Sequence, residues 1–185
     1  MSSTNEIKNI KEALNAHEQY SRRDCLEIAG VPMTRREDTN KIVKDVGKLA
    51  GVEIEDADIS TSHRLPVNPK KQLPPSIIVK FSRRDVRNQL YSAKKKLSNK
   101  IVKDLGMTSS ANHNKIYISE SLTQRNRELF NKCLKARKDH QFKFFLWTTN
   151  GRILVRKDET YPATHIKDEK TLQAFIEQLK IDVNR

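Results

Sequence analysis

Cysteine, acidic residues and long apolar runs are all scarce in this chain, and each scarcity removes a class of protein. Only Cys25 and Cys133 are present among 185 residues, with no CxxC pair and no histidine at zinc spacing. Neither a disulfide framework nor a metal site is expected, and both thiols read as small core residues in a reducing compartment. No stretch approaches the roughly 18 apolar residues of a membrane span, and the first twenty residues hold no apolar run of signal-peptide length. The expectation is an intracellular, soluble protein with no membrane contact. Catalytic signatures are missing as well: there is no GxSxG, HExxH, P-loop or DxD constellation, and His63, His113, His140 and His165 stand scattered. No enzyme and no cofactor are expected. Glu53, Glu55, Asp56 and Asp58 read as a loop and not as the metal-binding acids of a nuclease. Acids total 23 against 36 Lys and Arg, a formal net charge of +13. Such a balance favours polyanion partners, nucleic acid first among them.

What is there falls into three parts. Ile7, Ile10 and Leu14 follow a 3-4 spacing that His17 and Ser21 continue in polar form, so residues 1–21 read as an amphipathic lead-in helix or the remnant of a coiled coil. In CLEIAGV, Leu26 and Ile28 alternate inward with Glu27 facing the other way. Asp38 is placed to cap a helix with Ile42, Val46, Leu49 and Ala50 on one face and Gly51 at its end. A polar strand over 59–65, a proline-rich loop, a strong strand at SIIVKF, a helix carrying Val86, Leu90, Ala93 and Leu97, and a strand at KIYIS complete a β-α-β-β-α-β order over 22–119. That is the split βαβ order of ferredoxin-like and RNA-recognition domains. Residues 120–185 read as a small α+β domain: a long helix, two strands flanking Asn150-Gly151, and a helix burying Leu172, Phe175, Ile176 and Leu179. The fold class is therefore α+β.

Binding chemistry has to come from charge, because the usual aromatic platform is missing. RNA-recognition domains stack bases on aromatics of their first and third strands. Here the outward positions are Glu27, Ser76, Ile78 and Lys80, and Phe81 falls inward with Ile77 and Val79. Basic residues cluster instead at Arg83, Arg84, Arg87, Lys94, Lys95, Lys96, Lys100 and Lys103, with Asp85 as the one acid among them. Lys70 and Lys71 sit in the proline-rich loop. The C-terminal part adds Arg125, Arg127, Arg137 and Lys138 on its helix, then Arg152, Arg156 and Lys157 on its hairpin. Arg64, Arg127 and Arg156 lead among these candidates, because a guanidinium pairs bidentately with phosphate and stacks on bases. Phe145 and Trp147 offer an aromatic surface on the hairpin, but Trp147 is assigned to core packing. The partner expected is single-stranded RNA or DNA.

Several segments also resemble a known family. HEQYSRRDCLEIAGVP, DISTSHRLP, PPSIIVKFSRRDVRNQLYSAKKKL, KIYISESLTQRNRELFNKCL, WTTNGRILVRKDE and KTLQAFI are similar, in the same order, to the first open-reading-frame protein of LINE-class retrotransposons. The last portion also resembles the C-terminal domain of the baculovirus few-polyhedra protein. The first resemblance implies a trimeric single-strand-binding nucleic-acid chaperone of a cytoplasmic or nuclear ribonucleoprotein. It carries binding roles onto Arg64, Arg83, Arg84 and Arg127. The chain departs from that family in its very short coiled-coil segment. The second resemblance implies a structural or adaptor protein acting through protein partners.

Overall fold

The alternation in CLEIAGV becomes strand β1 (Cys25–Ala29), which buries Leu26 and Ile28 completely. The computed structural model describes residues 2–69, 72–108, 110–139 and 143–183. Helix α1 (Ser2–Ser21) precedes β1. Helix α2 (Thr39–Leu49) follows it and starts where Asp38 accepts a hydrogen bond from the Lys41 amide at 3.1 Å. It stops at Gly51, whose φ of 76° lets its amide reach the Lys48 carbonyl at 3.0 Å while the Val52 amide reaches Gly47 at 2.8 Å. These are the two hydrogen bonds of a Schellman ending. Strands β2 (Ile59–Arg64) and β3 (Ile77–Phe81), helix α3 (Arg84–Ala93) and strand β4 (Tyr117–Glu120) follow. The predicted length of α3 is partly lost: after Ala93 the chain tightens into a 3-10 turn, Lys94–Leu97, that still buries Leu97.

The chain divides into two units, Asp24–Ser121 and Met1–Arg23 with Leu122–Arg185. The first is an antiparallel sheet in the order β2-β3-β1-β4, the split βαβ arrangement that the element order predicts. Ile77, Val79 and Phe81 of β3 point inward with Leu26 and Ile28, and Val43, Val46, Val86 and Leu90 from the two helices close the core. Each such side chain contributes roughly 1.5–3 kcal/mol by leaving water.

The second unit contains α4 (Gln124–Asp139), β5 (Phe145–Thr149), β6 (Arg152–Arg156), β7 (Thr164–Ile166) and α5 (Glu169–Val183). Asn150 and Gly151 turn the hairpin with φ of 50° and 74°, the positive pair that a two-residue type I′ turn requires. Strand β7, in a Thr- and Pro-containing stretch, was not legible from periodicity. It pairs with β6 to give the order β5-β6-β7. Leu129, Cys133, Ile153, Val155, Ile166, Leu172, Ile176 and Leu179 form the core between this sheet and its helices. Burial pushes the Cys133 thiol up to about 11, which leaves it protonated and inert at neutral pH.

Helix α1 belongs to this second unit through its polar side. Asn15, Gln19, Thr123 and Asn126 make a closed set of hydrogen bonds. Asn15 Nδ2 donates to Asn126 Oδ1 at 3.1 Å, and Thr123 Oγ1 donates to Asn15 Oδ1 at 2.8 Å. The Thr123 amide donates to Gln19 Oε1 at 3.0 Å, and Asn126 Nδ2 reaches both Gln19 Oε1 and the Gly151 carbonyl. A Cβ at Gly151 would lie 2.3 Å from the Gln19 side chain, so the turn needs glycine for its contact with α1 as well as for its φ. An amphipathic helix ordinarily docks through its apolar stripe. Here Ile7, Ile10 and Leu14 remain 50%, 66% and 67% exposed.

Candidate nucleic-acid interface

Two of the arginines singled out from the sequence are structural. Arg64 is nearly buried and spends all five of its N–H donors. Nε and Nη2 bind the two oxygens of Glu37 at 2.8 and 2.9 Å. Nη1 donates to the carbonyls of Val31 and Pro75, and Nη2 also donates to that of Pro32. The guanidinium holds the Glu37 carboxyl below the usual carboxylate range. No donor is left for a phosphate, so the role expected for Arg64 is corrected to that of a clamp on three chain segments. Arg87 is corrected in the same sense. Its side chain is 4% exposed, its Nη2 donates to Glu120 at 2.8 Å, and its guanidinium carbon lies 5.3 Å from the Tyr91 ring centroid. A buried, paired cation of this kind is unavailable to solvent ligands.

The remaining basic residues of the four-stranded unit sort by partner. Arg83 donates to Asp85 at 2.6 Å and lies 3.5 Å from Asp58; Arg84 donates to Asp24 at 3.1 Å. Both stand at the start of α3, where the helix dipole disfavours cations, and the carboxylates offset that cost. The Asp85 carboxyl is lowered by its Arg83 hydrogen bond. Lys94 sits with Nζ 3.8 Å from the Tyr91 ring centroid. Lys80, Lys95, Lys96 and Lys103 are exposed, Lys100 is half-buried, and none of these five has an ion pair among the described residues. Lys70, Lys71 and His140 lie outside the described residues.

On this unit's open sheet face the absence of an aromatic platform on β1 and β3 is seen directly. Cross-strand partners share a face, and the register sets Cys25 against Lys80 and Glu27 against both Ile78 and Ser119. Glu27 faces outward as the alternation predicts, yet it is buried and accepts from Ser121 Oγ at 3.3 Å. Tyr117 on the edge strand β4 is the one exposed aromatic of this sheet.

The three-stranded sheet carries what the first sheet lacks. Its register pairs Phe145 with Arg156, Trp147 with Leu154, Thr149 with Arg152, and Leu154 with His165. All of these share the face opposite the core side chains Ile153, Val155 and Ile166. Trp147 is half-buried and lies outside the core cluster, which corrects its assignment to core packing. The Arg156 guanidinium lies 5.1 Å from the Phe145 ring centroid and 5.7 Å from that of Trp147. Arg152 is exposed, and neither Arg152 nor Arg156 has a carboxylate partner among the described residues. Burial, with Arg152 and Lys167 adding to it, holds the His165 imidazole below the usual histidine range. Neighbouring Lys157 is committed to Asp182 at 3.2 Å, which raises its pKa, and its Nζ is 4.9 Å from the Tyr161 ring centroid.

On α4, Arg125 is exposed and 4.0 Å from Glu12, and Arg127 is half-buried and not free. The structure therefore brings Arg152 and Arg156 together with Phe145 and Trp147, and leaves Arg64 and Arg87 out. His165 could not be placed from sequence because β7 is too short to show, whereas Leu154 follows from alternation along β6. The platform itself was derivable: a two-residue turn at 150–151 fixes Thr149 opposite Arg152, and alternation does the rest.

At the turn end of the sheet a cleft of about 530 Å³ opens within the same unit, with the polar stripe of α1 as one wall and Arg152, His165 and Lys167 on the other side. Among the described residues no cluster of three or more His, Cys, Asp or Glu is placed to hold a metal ion, and no helix is long and apolar enough to cross a membrane.

No curated protein matches the chain. Residues 123–176, from the capping threonine of α4 through most of α5, match the family model of baculovirus FP protein domain 2, so the segment that holds the aromatic and arginine face is similar to that domain.

Proposed function

We propose that this chain is a non-enzymatic protein that binds single-stranded RNA or DNA largely without regard to sequence, stacking bases on the β5–β6–β7 face. Arg156 carries the reading. It is a cation with no carboxylate partner among the described residues, held over two aromatic rings on a face that also presents Arg152 and His165. Every base has a π-face, so stacking on Phe145 and Trp147 tolerates any sequence, while exposed lysines follow the backbone as point charges. A duplex keeps its bases stacked on one another and gains only the charge term. In the cell the chain acts as a ribonucleoprotein component and nucleic-acid chaperone of the retrotransposon type, cytoplasmic or nuclear, and the exposed Ile7, Ile10 and Leu14 stripe seats a homo-oligomer.

Fluorescence anisotropy with a labelled 20-nucleotide single strand and its duplex tests this. Six to ten phosphate contacts predict a loss of about 10³–10⁵ in affinity between 50 and 200 mM salt, with the single strand preferred throughout. Binding no tighter than millimolar at low salt, or a preference for the duplex, overturns the proposal. The match to FP protein domain 2 and the exposed apolar stripe on α1 favour a second reading, an adaptor that works through protein partners. That reading gains if strand binding fails to saturate.

A further inference from the structure

We infer that the cleft beside the β6–β7 platform holds one nucleotide of the bound strand, with its phosphate on Arg152 and Lys167. This rests on the proposed function and goes beyond it by assigning a discrete site.

The cleft's volume, about 530 Å³, lies within the range of small-ligand pockets, roughly 300–1,000 Å³. Its charged lining is Lys8, Glu12, Arg125, Arg152, Lys167 and Asp168, and His165, which feels both Arg152 and Lys167, lines it too. Both acids keep their charge and are held by neighbouring donors. Asp168 accepts from the Thr171 amide at 2.8 Å, a contact that lowers its pKa, and Glu12 faces Lys8 at 3.9 Å and Arg125 at 4.0 Å. Arg152 and Lys167 have no such partner among the described residues. Lys8, Arg125, Arg152 and Lys167 outnumber Glu12 and Asp168 in the lining, so the cleft is net positive, and its unpaired cations sit on the sheet side.

Continuity with the platform selects a nucleotide over a free anion. Arg152 and His165 belong to the open sheet face and also line the cleft. From Arg156 to Arg152 the face runs four residues, about 13 Å, and presents Phe145 and Trp147 along the way. A strand stacked there meets the cleft at its Arg152 end. The opposite wall is α1, where Asn15 and Gln19 line the cleft while their side-chain amides stay engaged with Thr123 and Asn126. Because α1 forms that wall, a nucleotide in the cleft favours the docked helix, and docking favours the nucleotide in equal measure.

The experiment is an NMR titration of the ¹⁵N-labelled full chain with adenosine 5′-monophosphate, inorganic phosphate and the 20-nucleotide strand. The expected result is saturable movement of the Gly151 and Lys167 amides and the Asn15 and Gln19 side-chain amides, by the mononucleotide and by the strand. Phosphate alone should need at least about tenfold higher concentration, and Lys167→Glu should weaken the mononucleotide about tenfold or more, a full charge reversal at the contact. If the strand binds but these signals stay fixed, or if phosphate matches the mononucleotide, the cleft assignment is overturned and the proposed function stands. If the strand fails to bind while the mononucleotide shifts these signals, the proposed function falls and the cleft remains a nucleotide site. Failure of both probes removes both.

Discussion

The two units solve the same architectural problem and differ in what they leave on the surface. Each is an antiparallel sheet with helices on one face. The four-stranded unit has the split βαβ topology, yet its exposed sheet face offers Lys80, Ile78 and a lone edge tyrosine, Tyr117. The smaller unit is built on three strands only, yet places two aromatics, two arginines and a histidine on one face. A fold sets where side chains stand and says little about which ones they are. Substitutions that act on one unit and spare the other test that division.

The largest effect is expected in the four-stranded unit and should be purely one of stability. Arg64→Ala strips Glu37 and the carbonyls of Val31, Pro32 and Pro75 of their donors. Breaking a buried pair in this way costs about 3–5 kcal/mol, measured by urea unfolding. Strand affinity, measured where the variant is still folded, should change less than about twofold, and a large loss there would return Arg64 to the binding surface. The pH dependence has a definite sign. Glu37 is lowered in the fold, so its contribution is fully present above the ordinary glutamate value. It is lost as pH falls through the lower folded value. The stability gap between wild type and Arg64→Ala should close over that window.

Next in size is the platform. Trp147→Ala should cost about 1–3 kcal/mol in single-strand affinity, the usual worth of one stacked base. Tyr117→Ala on the other sheet should cost almost nothing, and equal losses from the two would erase the distinction between the units. Arg156→Lys keeps the charge and removes the planar group over Phe145 and Trp147, so it should lose most of what Arg156→Ala loses.

Much of this was readable from the residues, for identifiable reasons. Asp38, Gly51 and the Asn150-Gly151 turn are local signals whose geometry depends on a few neighbouring atoms, and each falls where its chemistry predicts. The inward register of Ile77, Val79 and Phe81 follows from period-two alternation alone. What failed depends on distant partners. Arg64 and a surface arginine look identical in sequence, and only the arrival of Glu37 and three carbonyls separates them. Likewise α1 shows its apolar stripe in sequence, while the docked face is polar and owes its contacts to Asn126 and Gly151, more than a hundred residues away. Strand β7 is three residues long, too short for any periodicity.

Charge on the four-stranded unit gives a smaller effect of a different kind. Lys95 and Lys96 are exposed and have no ion pair among the described residues. If both contact phosphates, the Lys95→Gln, Lys96→Gln pair should lower the slope of log K against log salt by about 1.4, at roughly 0.7 per contact for single strands. Trp147→Ala should leave that slope unchanged. A slope that moves with the tryptophan and not with the lysines would put the electrostatic contacts on the smaller unit alone.

The smallest effect sharpens the comparison most, because it belongs to one residue of one face. Burial, with Arg152 and Lys167 adding to it, disfavours the charged form of His165. In the fold its pKa lies below the ordinary histidine value. The stability it contributes is therefore present above that value and is lost as pH falls through the folded one. A phosphate bound at Arg152 screens those two cations and adds a negative charge, so binding raises the His165 pKa. Linkage then requires the strand to bind more tightly as pH falls below the ordinary histidine value and through the lowered His165 value. The gain in affinity follows the size of that upward shift. His165→Gln should flatten the profile, while His63→Gln on the four-stranded sheet should leave it intact. A profile that survives loss of His165 would mean that protons enter elsewhere, and the strand would then have no contact with the β7 end of the platform.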